Sequence, residues 1–294
     1  MSRLRALELF AGIGGFAAAA ADVDLLGAFD HDRRCERVYR ANFPHPFQVK
    51  NLVAVQDRTL AAFEADLWWM SPPCAPHTVR GARRGLDDPR SAGFVRMLGA
   101  IEAVKPRWVL LENVPGFLES DAFAALADTL ARAGYSDVRT AEISPTALGI
   151  PGVRRRVYVA AGRSSLQPER PRAGAWRPLP GFLGPWDEAL AVSEERLARF
   201  GDAMHVVDAD DPEATAACFT RAYGRSPVYV GSYVRQSDGA RLRLRHFAPA
   251  EIAALHGLPP GFDLAGAPLR EAWALLGNGL SVPVVREVLS WVTG

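Results

Sequence analysis

The amino-acid sequence predicts an α/β protein, built on a doubly wound, Rossmann-like sheet with a second, smaller domain. A short apolar strand at 6–10 is followed by a glycine turn and an alanine-rich helix, as at the start of a nucleotide-binding βαβ unit. Apolar strands and helical segments then alternate as far as residue 162. Beyond that point the composition changes, because residues 163–186 contain five prolines and little periodicity.

The predicted elements follow one another along the chain. Strands are expected at 6–10, 25–29, 66–70, 107–111, 138–143 and 154–161. Helices are expected at 16–22, 34–42, 91–104, 121–133 and 282–292. The helix at 282–292 follows a glycine turn and is expected to pack against the first lobe. The predicted domains are therefore 1–170 together with 268–294, and 171–267.

Composition limits the class of protein. The 294 residues are 49% hydrophobic, which is enough for two lobes, and no apolar run is long enough to predict a membrane span. Glu8 comes too early for a secretory signal. Cys35, Cys74 and Cys218 form no Cys-x-x-Cys pair, so no metal site is predicted, and their scarcity fits a reducing cytoplasm. No obligate protein partner is indicated.

Positive charge is concentrated in one region, although the formal net charge is only +1. Between residues 218 and 245 there are six arginines against one acid, Asp238. They are Arg221, Arg225, Arg235, Arg241, Arg243 and Arg245. Such asymmetry indicates a surface that faces phosphate, which the guanidinium fork matches well. A GC-rich genome would also enrich arginine, but it would not explain the clustering.

Reactive side chains follow two of the predicted strands. Cys74 comes after two prolines just beyond strand 66–70, and Glu112 comes directly after strand 107–111. Because the carboxyl ends of parallel strands lie along one edge of a sheet, we expect the thiol and the carboxyl group to face one crevice. A nucleophile beside a proton-handling acid indicates an enzyme. Cys35 is expected to be structural.

The glycine turn after the first strand predicts a ligand site. Gly12, Gly14 and Gly15 lack the Gly-x-Gly-x-x-Gly spacing of dinucleotide binding, so the turn alone identifies no particular nucleotide. Its glycines let the backbone approach a ligand closely at a helix N-terminus. Asp30, after the second strand, is placed to accept bonds from ribose hydroxyls, and His31 either lies against adenine or is an ordinary exposed histidine.

Six segments, taken in order, resemble motifs of the cytosine-5 methyltransferases that use S-adenosylmethionine. They are similar to the family's cofactor loop, nucleophile motif, acid motif, arginine strand, small-domain structural motif and closing motif. The segments are 8–15, 71–74, 112–114, 148–156, 245–259 and 276–283. A narrower resemblance, in Cys218-Phe219-Thr220 and Tyr223-Gly224-Arg225, is to the compact branch of that family that methylates a cytosine in a tRNA anticodon loop.

The resemblance implies a methyltransferase domain with a small target-recognition domain, S-adenosylmethionine as cofactor, and a nucleic acid as partner. It implies that Cys74 adds to carbon 6 of cytosine and that a protonated Glu112 bonds to N3. Arg154 and Arg156, expected on one face of a strand, would hold the base and phosphate. The implied cofactor-binding residues are Phe10, Gly12, Ile13, Gly14, Gly15, Asp30, His31, Asn51, Pro73 and Asn278. The implied substrate-binding residues are Asn113, Cys218, Phe219, Thr220, Tyr223, Arg225 and Arg245.

Three functional hypotheses remain open from the sequence. The first is tRNA methylation, where an unpaired loop base is cheap to expose. The second is DNA methylation, for which region 163–264 leaves little room to read base edges. The third, a catalytically silent nucleic-acid-binding protein, conflicts with the retained catalytic residue types. Ala75, Gly152 and Asn51 depart from the family pattern, where glutamine, a polar amide and an acid are common.

Overall fold

The structure is a computed structural model that describes residues 3–73, 86, 88–167 and 174–293. The predicted nucleophile, Cys74, lies outside the described residues. The chain divides into two compact units. Unit 1 comprises Met1–Ile143, Arg155–Arg170 and Val285–Gly294, and unit 2 comprises Ser144–Arg154 and Pro171–Val284. The predicted boundaries differ from these, since residues 144–154 and 268–284 fall in unit 2.

The described residues form ten strands and nine α-helices. The strands are β1 (Leu4–Leu9), β2 (Val23–Asp30), β3 (Phe47–Val49), β4 (Leu67–Met70), β5 (Trp108–Asn113), β6 (Asp137–Ile143), β7 (Arg156–Gly162), β8 (His205–Asp208), β9 (Ser232–Ser237) and β10 (Leu242–His246). The helices are α1 (Gly15–Ala19), α2 (Arg33–Asn42), α3 (Asp57–Ala61), α4 (Ala92–Val104), α5 (Asp121–Arg132), α6 (Glu194–Phe200), α7 (Pro249–Leu255), α8 (Leu269–Gly277) and α9 (Val282–Thr293). Each of these helices is too short or too polar to cross a membrane.

Seven of the described strands form the sheet of unit 1, in the order β3-β2-β1-β4-β5-β7-β6. Strands β1 to β5 pair in parallel, and β7 runs antiparallel to both β5 and β6. This arrangement confirms the predicted doubly wound α/β fold. Strand β3 and helix α3 have no counterpart among the predicted elements, because three and five residues give too little periodicity to recognise.

The central strands of this sheet are buried along their whole length. Every residue of β4 and β5 is buried, as expected for parallel strands covered on both faces. Trp68 and Leu111 belong to a core that also contains Ile101 of α4 and Leu126 of α5. The register pairs Leu9 with Met70, so the chain segments after β1 and β4 leave the same edge of the sheet. This edge carries the predicted active-site residues of unit 1.

Unit 2 contains a small sheet and an aromatic core. Among its described strands, β9 lies between β8, which is parallel to it, and β10, which is antiparallel. Tyr223 contacts the rings of Phe219, Tyr233, His246 and Trp273. Three of these pairs are edge to face, which is electrostatically favourable, and the Tyr223–Tyr233 pair is tilted. These residues are spread over about 55 positions of sequence, so no local periodicity reveals the core.

Candidate active site

The loop between β1 and α1 has a backbone that favours glycine. Gly12 and Gly14 have φ angles of 54° and 90°, a region that side chains with a Cβ atom rarely adopt. A Cβ atom on Gly14 would clash with the rings of Phe43 and Tyr39, whereas one on Gly12 would meet no atom within 4 Å. Gly14 is therefore required by packing, and Gly12 leaves an open approach to the backbone.

Asp30 fixes this loop to the end of β2. One of its carboxylate oxygens accepts a hydrogen bond from the Gly12 N–H at 2.9 Å, and the other accepts one from the Asp32 N–H at 2.9 Å. His31 Nδ1 lies 3.3 Å from Asp30, and this hydrogen bond raises the pKa of the histidine above its ordinary value. The described contacts thus give Asp30 a structural role in addition to the predicted ribose contact.

The other predicted cofactor residues occupy different environments. In unit 1, Ile13 and Gly15 are buried, Phe10 is partly buried with a φ of 59°, and Pro73 is exposed. Asn51 is also exposed, and its Oδ1 accepts a hydrogen bond from the Val53 N–H at 3.1 Å. Asn278 belongs to unit 2, is exposed and follows α8. Their contacts with a cofactor stay a prediction.

Glu8 is a buried acid beneath the glycine loop that the sequence reasoning did not assign a role. Its Oε1 accepts a hydrogen bond from the Phe16 N–H at 3.2 Å, and its Oε2 accepts one from the Tyr39 hydroxyl at 3.3 Å. Burial raises the pKa of Glu8 to about 8. The sequence did contain a signal for this buried acid, because Glu8 lies in the middle of an apolar strand. Such a side chain is costly to bury without partners, so its position indicates a specific role.

Glu112 and Arg156 form an ion pair on neighbouring strands. Glu112 lies near the end of β5 with 8% of its surface exposed, and Arg156 is the first residue of β7. The Nε atom of Arg156 lies 3.1 Å from Oε1 of Glu112. Little solvent reaches either side chain, so a polar ligand here would replace water in a confined site. The structure thus brings together two of the four predicted catalytic residues.

Asn113 binds the backbone just before the predicted nucleophile. Its Nδ2 donates a hydrogen bond to the Pro72 carbonyl at 3.3 Å, and its Oδ1 accepts one from the Val114 N–H at 2.9 Å. On the other side, the Trp69 indole N–H donates to the Ser71 hydroxyl at 2.9 Å. The segment after β4 is therefore anchored by side chains as far as Pro72. Asn113 is 1% exposed, which favours a positioning role over the predicted substrate contact.

Arg154 does not share a strand with Arg156, so that prediction is wrong. Arg154 precedes β7 and lies in unit 2, where the Val153 N–H bonds to the Ala216 carbonyl at 2.8 Å. Its guanidinium group donates to the carbonyls of Phe219 at 3.2 Å and Gly277 at 3.4 Å. The physical reason is the backbone pairing at residue 153, which a count of alternating side chains cannot reveal.

The segment that carries the narrower resemblance surrounds Arg154. Cys218 is partly buried, and the Nη1 atom of Arg154 lies 3.6 Å from its sulfur. The N–H of Thr220 donates to the Val230 carbonyl at 2.9 Å, which holds the segment against the chain leading to β9. Phe219 is 5% exposed and packs in the aromatic core. The interpretation of Cys218 and Thr220 as substrate contacts stays a prediction.

Tyr223 and Arg245 are interior residues, which corrects their assignment to substrate binding. Tyr223 is fully buried, donates to the Ser232 carbonyl at 2.7 Å and accepts from the Phe247 N–H at 2.8 Å. Arg245 is also fully buried and pairs with Glu251 at 2.7 Å. The polar groups of both side chains are satisfied by partners inside unit 2, as buried polar groups must be. Arg225, in contrast, is exposed.

The fold and these features of unit 1 define a Rossmann-like methyltransferase. The family described as C-5 cytosine-specific DNA methylase matches residues 4–180. A tRNA (cytosine(38)-C(5))-methyltransferase from Schizosaccharomyces pombe is 30% identical over 98% of this chain and 96% of its own length. A DNA (cytosine-5)-methyltransferase from Dictyostelium discoideum is 25% identical, over 98% and 94%.

A solved structure agrees with these sequence matches. The structure of the Entamoeba histolytica methyltransferase EhMeth superposes with a TM-score of 0.90 at 25% identity, covering 99% of this chain and 98% of that one. The chain therefore belongs to the family of C-5 cytosine-specific methylases.

Proposed function

We propose that this chain methylates carbon 5 of a cytosine in a tRNA anticodon loop. The observation that carries the proposal is the match to the S. pombe tRNA methyltransferase, which extends over almost the whole of both chains. The Cys218-Phe219-Thr220 segment around Arg154 adds support, because it is the feature that resembles the tRNA-methylating branch. A single-stranded loop also presents its bases without the cost of opening a duplex.

S-adenosylmethionine is the cofactor that fits the β1–α1 loop. The open space at Gly12 and its positive φ let the backbone approach a ligand, and Asp30 stands at the end of the adjacent strand. Phe10, His31 and Asn51 complete the set of unit 1 residues that we expect to hold it. When bound, the cofactor supplies an electrophilic methyl group on a sulfonium.

The residues of the chain then prepare cytosine to accept that methyl group. In the proposed reaction the thiolate of Cys74 adds to carbon 6, which makes carbon 5 nucleophilic. Glu112 in its protonated form donates a hydrogen bond to N3 and draws electron density from the ring, while Arg156 holds the carboxyl group in place. After methyl transfer a base removes the proton on carbon 5, and the thiolate leaves as the double bond re-forms.

Methyl-labelled cofactor, offered with total tRNA and separately with DNA, tests the proposal. We expect label in tRNA with the wild type, none with Cys74→Ala, and wild-type label with Cys35→Ala as the matched cysteine control. Glu112→Gln should lower the rate by about 10²–10⁴-fold, the usual contribution of a positioned acid. Label in DNA alone would instead support the DNA enzyme that the Dictyostelium relative indicates, and full activity of Cys74→Ala would refute the mechanism.

A further inference from the structure

Four arginines of unit 2 line one pocket, and the sequence cluster of arginines does not predict it. The pocket has a volume of about 600 Å³. Arg196 and Arg199 come from α6, Arg225 from the loop before β9, and Arg270 from the first turn of α8. Glu195 is the acidic residue among the described lining residues. The four positive charges therefore converge from three separate segments of the chain.

Most of the clustered arginines already have an acidic partner. Four of the six between residues 218 and 245 have a carboxylate partner in unit 2. The pairs are Arg235 with Asp208, Arg241 with Glu194, Arg243 with Glu188, and Arg245 with Glu251. In contrast, among the described residues the four pocket arginines form no ion pair with an acid. Their charge is available to a ligand.

Two of the pocket arginines are held in place without losing their charge. Arg196 is partly buried, and its Nη2 donates to the Arg225 carbonyl at 3.0 Å, which ties α6 to the neighbouring loop. The guanidinium carbon of Arg199 lies 5.0 Å from the centre of the Phe200 ring, a cation–π contact. A partly ordered guanidinium group loses less freedom when it binds an anion.

We propose that this pocket binds the sugar-phosphate backbone of the substrate nucleic acid. Like charges accumulate in a pocket only at a cost in repulsion, which a polyanion relieves. Guanidinium groups match phosphate with two parallel hydrogen bonds, and the release of counterions from a nucleic acid favours binding. The inference rests on the proposed function, because it takes the tRNA substrate as the polyanion, and it adds Arg196, Arg199 and Arg270, which lie outside the family motifs, to Arg225.

The test compares two triple variants with the same change in charge. Arg199→Gln, Arg225→Gln and Arg270→Gln remove three exposed pocket arginines, and Arg196 is kept because it holds the loop. The matched control replaces three exposed arginines that already have acidic partners. They are Arg132, Arg235 and Arg241, each changed to Gln. Thermal unfolding of both variants checks that the fold is retained.

The dissociation constant for a tRNA transcript is measured by fluorescence anisotropy across a range of salt concentrations. We expect the pocket variant to bind tRNA at least about tenfold more weakly near 0.15 M salt. The slope of log affinity against log salt concentration should decrease by the amount expected for the loss of about two phosphate contacts. The ion-paired control should show little change in that slope. If both variants have the same affinity and slope, the proposal is overturned.

The methylation assay separates failure of this inference from failure of the proposed function. A wild type that labels DNA and not tRNA refutes the tRNA substrate, and the same salt series on that DNA then tests the pocket. A wild type that labels tRNA, with a pocket variant indistinguishable from the ion-paired control, refutes the pocket alone. In the expected result the KM for tRNA rises with the dissociation constant in the pocket variant.

Discussion

Glu8 is an ionisable side chain buried in a central strand, and its position makes stability depend on pH. Its pKa is about 8 in the folded protein and near 4.5 when exposed. Between these values the folded state keeps a proton that the unfolded chain has lost. The stability that this proton provides is complete below about pH 4.5 and is lost as pH rises through 8.

We expect Glu8→Gln to remove this part of the pH dependence. As the pH rises from about 5 to about 8, the free energy of unfolding of the wild type should fall relative to that of the variant. The expected decrease is up to about 1.4 kcal/mol per pH unit. Urea unfolding at several pH values measures it. Glu64→Gln is the matched control, because the Glu64 side chain is 80% exposed. Parallel pH curves for wild type and Glu8→Gln would contradict the assignment.

Gly12 and Gly14 belong to one loop but are required for different reasons, which gives the element-scale prediction. Gly14→Ala should lower the melting temperature, because its methyl group would meet Phe43 and Tyr39. Gly12→Ala should cost only about 1–2 kcal/mol of backbone strain. It should nevertheless weaken the binding of S-adenosylmethionine, because the new methyl group would occupy the open space beside the Gly12 backbone. Calorimetry of cofactor binding beside thermal unfolding checks both.

The contrast between the two variants is the control for each. If Gly12→Ala binds S-adenosylmethionine as tightly as the wild type, then the space beside Gly12 is not where the cofactor approaches. If Gly14→Ala melts like the wild type, then Phe43 and Tyr39 move aside and the glycine is not required by packing.

At the scale of elements, strong local patterns were predictable and long-range pairing was not. Strands β4 and β5 are apolar runs that end in polar residues, so their positions and the placement of Glu112 followed from the sequence. Arg154 looked like strand in the same way, yet it lies outside β7 because its neighbour bonds to Ala216, more than 60 residues away. Burial of Tyr223 and Arg245 likewise depends on distant partners.

The same limit applies to the whole molecule, because neither unit is one continuous stretch of chain. Unit 1 is assembled from three segments and unit 2 from two. Composition located the change after residue 162 but could not assign 144–154 to unit 2, since that assignment depends on contacts between distant segments. The arginine pocket has the same origin, with residues from 196 to 270 meeting only in the fold.

The carboxyl-terminal helix completes unit 1, and this gives the prediction at the largest scale. Trp291 of α9 is 4% exposed, and its carbonyl accepts a hydrogen bond from the Gln167 N–H at 3.1 Å. Arg286 of the same helix donates to the Ala18 carbonyl at 3.2 Å, at the end of α1. Residues 285–293 are therefore expected to support α1, the helix that follows the β1–α1 loop.

We expect Trp291→Ala to lower the free energy of unfolding by about 3–5 kcal/mol, the usual cost of removing a buried Trp side chain. Because α1 follows the cofactor loop, S-adenosylmethionine affinity should fall as well, although Trp291 is not among the residues expected to bind it. Thr293→Ala, at an exposed position of α9, is the matched control and should leave both quantities nearly unchanged. Urea unfolding and calorimetry measure them. If Trp291→Ala is as stable as Thr293→Ala, then α9 adds little to the stability of unit 1. If Trp291→Ala is destabilised but binds S-adenosylmethionine like the wild type, then the β1–α1 loop is held independently of α9.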